Sequence, residues 1–182
     1  MIYYGAKDIA ASFRTVRNNT LKIADEIPED MYSFRPAEGS RTIAQTLIHI
    51  SNIHKLALAI HRDKVVSTME GFNFIAFIGP IAASEQETMS KAQIISRLTA
   101  AGEEFEIWVK TLSEDLLGQS VSMPPGGNPA SRTRFDMLIA VKEHEMHHRG
   151  QLMLMERLIG ITPHLTREAQ ARRAALNVAV KS

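Results

Sequence analysis

Apolar residues recur at steps of three and four along nearly the whole chain, and no window alternates convincingly as a strand. Helices with one apolar stripe each must bury that stripe on one another, so the period alone selects an all-α packing. The first helix is expected over about residues 4–27, with Ile9, Phe13, Val16, Leu21 and Ile23 along it and Pro28 as its stop. A second, over 42–64, opens on the capping pair Thr42 and Gln45. It carries Ile43, Leu47, Ile48, Ile50, Ile53, Leu56 and Ile60 around most of its circumference, a pattern that predicts deep burial. Residues 65–89 are poorly periodic, with Gly71, Gly79, Pro80 and the cluster Phe72, Phe74 and Phe77. They read as a long connection with some helical turns, suited to a crossover or a lid.

A third helix is expected over 90–112, capped by Ser90 with Gln93 and burying Ile94, Leu98, Phe105 and Trp108. A short helical turn over 114–117 precedes the loop Met123-Pro-Pro-Gly-Gly-Asn-Pro129. The fourth long helix spans 133–159 and ends at Gly160, with Pro163 just beyond. A last helix over 166–178, rich in Ala and Arg, is placed on the outside. The expectation is one domain over 1–182: a four-helix bundle with a long crossover connection and an additional C-terminal helix.

Twenty-one basic against 20 acidic side chains leave a net charge of +1, which steers the molecule toward neither nucleic acid nor an anionic membrane and disfavours DNA binding. The basic run over 167–173 is diluted by Glu168 and reads as a solvated helix face. Without cysteine there are no disulfides and no thiolate ligands, so any metal site must use nitrogen and oxygen. The N-terminus lacks a signal-peptide pattern and no apolar run is long enough to span a bilayer, so the expected location is the cytoplasm of a bacterial-type host.

The segment His144-Glu-Met-His-His148-Arg-Gly-Gln151 lies inside the fourth helix. Four residues apart, His144 and His148 point the same way, the spacing that lets one rigid helix offer two imidazoles to a metal ion. They share a stripe with Met137, Val141, Gln151 and Met155, and the pair is expected to face the bundle interior. Two core histidines bonded to backbone or carboxylates fit the same spacing. His49 shares a stripe with Ile53, Leu56 and Ile60 and also points inward. His147 lies about 100° around the helix, and surface exposure or a supporting role is expected for it. His54 and His61 are expected at the surface or rim, and His164 in a turn. Glu143 and Glu145 project away from His144 and read as solvated, while Gln151 is placed either to reach the pocket as a hydrogen-bonding group or merely to pack. Arg149 and Gly150 suit helix packing.

His144-Glu-Met-His-His148 also matches the His-Glu-x-x-His pattern of zinc peptidases, in which the glutamate is general base. The longer form of that pattern fails at Gln151 and Leu154, and nothing selects Glu156 or Glu168 as a third ligand. A metallopeptidase stays a minor alternative.

The chain resembles the DinB/YfiT-like family of small bacterial metal-binding proteins (not the DNA polymerase that shares the name). The likeness lies in Tyr32-Ser-Phe-Arg-Pro36, in Arg41-Thr-Ile-Ala-Gln-Thr-Leu-Ile-His49-Ile, in His144 to Gln151 and in Leu158-Ile-Gly-Ile-Thr-Pro163. It runs from the first helix to Pro163. The resemblance implies a four-helix bundle that binds a divalent ion, zinc or nickel, through His49, His144 and His148. It also implies a homodimer. Some relatives of this kind are transferases or isomerases that use a low-molecular-weight thiol such as bacillithiol or mycothiol.

Three neutral imidazoles leave a divalent ion its full charge and an open position. That suits activation of a substrate thiol toward an electrophile, or of water toward an ester or amide. The competing class is a non-enzymatic metal-binding stress-response or interaction protein. It predicts a fourth protein ligand and no accessible pocket.

Overall fold

A computed structural model of the chain describes residues 4–179. Its helices are α1 (Ala6–Glu26), α2 (Ile43–Asn52), α3 (Lys55–Leu58), α4 (Phe74–Ser84), α5 (Lys91–Val109), α6 (Glu114–Gly118), α7 (Arg134–Leu158) and α8 (His164–Ala179). Four long elements make the bundle. α1 packs on α5 and α7, and α2 packs on the same two, so α1 faces α2 across the diagonal. No described helix is long and apolar enough to cross a membrane.

The helix ends follow side-chain chemistry written in the sequence. Thr42 and Gln45 close a reciprocal capping box at the start of α2, and Ser90 and Gln93 do the same for α5. α7 begins where Thr133 Oγ1 accepts from the Asp136 amide at 3.1 Å. It ends where Gly160 turns left-handed with φ 87° and the Ile161 amide returns to the Glu156 carbonyl at 2.7 Å.

Two expectations need correction. The second helix is not continuous over 42–64: it breaks after Asn52, resumes as α3 and closes in a π-helical turn over Ala59–Asp63. The Ser51 hydroxyl and the Asn52 amide group both donate to the Ile48 carbonyl, at 2.6 and 3.0 Å, and so compete with the backbone ladder where it fails. The chain also contains strands. β1 (Ser120–Ser122) and β2 (Ser131–Thr133) pair antiparallel across the proline-glycine loop, each too short for alternation to register. The connection over 65–89 does hold an ordered helix, α4, capped by Asn73 and tied to α2 through the Asn52 amide group and Ser84 Oγ at 3.1 Å.

The core has two apolar halves. One gathers Ile9, Phe13, Phe105, Val109 and Leu138; the other gathers Ile23, Leu47, Ile50, Leu98 and Leu152. Between them, at the waist, lies a buried ion pair. Arg17 Nε and Nη2 each donate at 2.9 Å to Glu145, and its other nitrogen donates to the Leu98 carbonyl at 2.6 Å. A Cβ at Gly102 would stand 2.8 Å from Arg17 Cγ, so α5 makes room for this arginine by carrying glycine there.

At the α1–α7–α8 junction Glu156 is fully buried with neither oxygen hydrogen-bonded. Burial first, then the nearby Glu26 charge, pushes its carboxyl up from 4.5 to about 7. A folded-state value above the unfolded one adds stability that is complete below pH 4.5 and lost as pH rises through about 7. Glu156→Gln is therefore expected to flatten the stability profile across that window and to stabilise the fold above it by about 2 kcal/mol. Urea unfolding at acidic and alkaline pH checks this; a variant less stable than wild type at high pH refutes it.

Candidate metal centre

Three imidazoles from two helices meet at one point. His49 stands on α2, and His144 and His148 stand one turn apart on α7, which packs against α2. The Nε2 atoms of His49 and His144 are 3.3 Å apart, and those of His144 and His148 are 2.9 Å apart. Three nitrogens around a zinc-sized ion, at bond lengths near 2.0–2.1 Å, are separated by roughly 3.0–3.4 Å. The donor set thus matches in element and number, and these two separations lie close to that range.

The far side of two rings is held. His49 Nδ1 donates to Glu85 Oε1 at 2.7 Å, and His148 Nδ1 donates to Gln151 Oε1 at 2.8 Å. Those partners place the ring protons on Nδ1 and leave the Nε2 lone pairs facing inward. A proton on His144 Nε2 serves only one of the two facing lone pairs, whereas a cation satisfies all three rings together. Burial, first, and then the charges of His49, His147 and Arg41 push the His144 ring below its usual 6.5. For His148 burial outweighs the Gln151 hydrogen bond and carries the value down to about 4, so this ring is neutral at pH 7.

Glu85 follows α4, in the stretch read as connection, and no sequence signal distinguishes it from solvated neighbours. Burial pushes its carboxyl up, but hydrogen bonds from Arg41 and His49 prevail and hold it below its usual 4.5. Arg41 Nε donates to its second oxygen at 2.7 Å. Ser84, Asn52 and Arg97 form a polar knot beside it, with Arg97 bonded to Asn52 at 2.9 Å, and this fixes the end of α4 over His49.

Several residues stand elsewhere than expected. The buried stripe of α7 runs through Leu138, Val141, Glu145, His148, Leu152 and Met155, which leaves His144 exposed at the rim and the cluster at the bundle surface. Glu145 is not solvated: it is fully buried against Arg17. That removes it from the general-base role of the peptidase pattern, because both of its oxygens are bonded to Arg17 inside the core. His54 and His61 are not at the rim; both are 2 % exposed. Burial lowers them to about 3 and about 4, so both are neutral structural side chains, His61 accepting from Arg134 at 2.9 Å. His164 is buried at the start of α8 and bonds Asn19. Gly150 has open space where a Cβ would stand, so no described neighbour uses it for close approach. Exposed His147 accepts from Gln151 Nε2 at 3.1 Å, which makes Gln151 a bridge between the two rings.

Among the described residues no fourth histidine or acidic group joins the three. A helical bundle in which two facing helices bring three histidines together is an arrangement that could hold a metal ion. The model of the DinB superfamily matches residues 12–152, and the chain belongs to that family. It is 24 % identical over 158 residues to the uncharacterized protein YjoA of Bacillus subtilis, across 86 % of this chain and 92 % of that one. The crystal structure of that DinB-like protein superposes with a TM-score of 0.62 at 23 % identity, over 85 % of this chain and 92 % of the other. An uncharacterized Clostridium difficile protein gives 0.65 at 17 % identity, over 87 % and 99 % of the two chains.

Proposed function

We propose that His49, His144 and His148 hold one divalent ion, zinc or nickel, and that the protein is a metal-dependent enzyme of thiol transfer or hydrolysis. The observation that carries this reading is a donor set with three converging nitrogens, no fourth protein ligand among the described residues, a groove that reaches His144 and a cavity lined by Glu85 and Gln151, the partners of the other two rings. A site that serves only to brace the fold or to sense metal is closed by its own side chains; this one adjoins a cavity of about 620 Å³ and an apolar groove that reaches His144.

A bound ion would supply Lewis acidity, lowering the pKa of a water or thiol at its open position. The protein's own residues do the rest. Glu85 and Gln151 fix the tautomers and aim of His49 and His148, and Arg41 keeps Glu85 ionised. The groove side chains Ile53, Leu56, Met137 and Val141 give one flank of His144 an apolar wall.

Metal analysis and calorimetric titration of untagged protein test the reading: about one equivalent of zinc or nickel per chain is expected. Thiol transfer and ester hydrolysis by the loaded protein are assayed next. Protein that stays empty under metal supplementation overturns the assignment. Glu85→Ala is expected to weaken metal affinity about 10–100-fold while leaving the fold intact, since it removes the support of a ligand rather than a ligand. Unchanged affinity refutes that role.

A further inference from the structure

The cavity beside the histidines is walled by the 35–41 turn, the start of α2, the residues after α4 and the outer side of α7. Glu85 and Gln151 both line it, so whatever fills it touches the groups that orient His49 and His148. Two arginines also line it, in different electrostatic states. Arg41 is paired with Glu85 at 2.7 Å. Arg35 bonds only neutral acceptors, the Ser40 carbonyl and Gln45 Oε1, and has no carboxylate partner among the described residues. Ser40, Gln45, Gln86 and Gln151 add polar but uncharged groups.

Arg41 and Glu85 cancel, which leaves Arg35 as the one uncompensated charge on the wall among the described residues. A concave surface concentrates the field of such a charge, and the guanidinium fork matches an oxyanion in two parallel hydrogen bonds. We infer that the site takes a small molecule bearing an oxyanion, with that group seated on Arg35 and a metal-binding donor reaching the three histidines. This rests on the metal reading above, and it makes Arg35 the residue that selects among ligands.

Cobalt(II)-loaded wild type, Arg35→Gln and Arg35→Lys are titrated with mercaptoalkanoic acids of graded chain length and with their methyl esters. The sulfur-to-cobalt charge-transfer band reports binding. In wild type the acid whose length matches the span is expected to bind about tenfold tighter than its ester, and added salt shrinks the difference. Arg35→Gln loses that preference while its ester affinity stays at the wild-type level, and Arg35→Lys keeps part of it. Equal binding of acid and ester at every length in wild type, or a full preference in Arg35→Gln, overturns the inference while the cobalt site stands. Failure to take up cobalt at all overturns the metal reading, and this inference falls with it.

Discussion

His148→Ala is expected to retain no stoichiometric zinc, nickel or cobalt, where the wild type retains about one equivalent. His148 is the buried member of the cluster, and its ring, lowered to about 4, offers a lone pair at neutral pH without first losing a proton. Without it two imidazoles remain, on different helices, with Nε2 atoms 3.3 Å apart, and among the described residues no further histidine or acidic donor atom converges on them. His147→Ala is the matched control. Its ring lies beside the cluster but turns its Nε2 to Gln151, so the variant is expected to keep a full equivalent. Circular dichroism of both metal-free variants separates ligand loss from misfolding. A folded His148→Ala protein that still binds one equivalent sinks the ligand assignment.

Glu145→Ala is expected to lose about 3–5 kcal/mol of stability, a large share of the 5–15 kcal/mol that holds a typical domain together. The Arg17 and Glu145 side chains are 4 % and 0 % exposed. Removing the carboxylate strands a guanidinium between two apolar halves of the core, where no other acid reaches it. For a chain of this length the loss corresponds to a fall of about 10 °C in melting temperature. The double variant Arg17→Met, Glu145→Leu is expected to recover most of it, since two apolar side chains need no partner there. A loss below about 1 kcal/mol in Glu145→Ala shows that water reaches the pair. Glu145 is adjacent to His144 on α7, so metal affinity measured in the folded double variant tells whether the pin also sets the register of the ligands.

The helix boundaries were legible because capping and termination are local. Thr42 with Gln45, Ser90 with Gln93, Thr133 and Gly160 each act within a few residues of themselves. The three histidines were legible in part: the four-residue spacing fixed two of them to one face, the apolar stripe of the second helix turned His49 inward, and the family resemblance joined it to the pair. The rotation of α7 was not. Residues 144 and 145 sit about 100° apart, and both of their stripes continue in apolar side chains, so the period alone does not say which one turns inward.

The sequence by itself determined a helical bundle, most of its helix ends and a pair of imidazoles able to act together. Tertiary structure alone decided what each buried polar group meets. Glu145 is neutralised by an arginine 128 positions away, and His49 is oriented by a glutamate 36 positions away in a stretch with no readable period. Propensity, capping and hydrophobic period act over one or two turns of chain. The partner of a buried charge or ring nitrogen is set by which elements pack together, and that is a property of the folded whole.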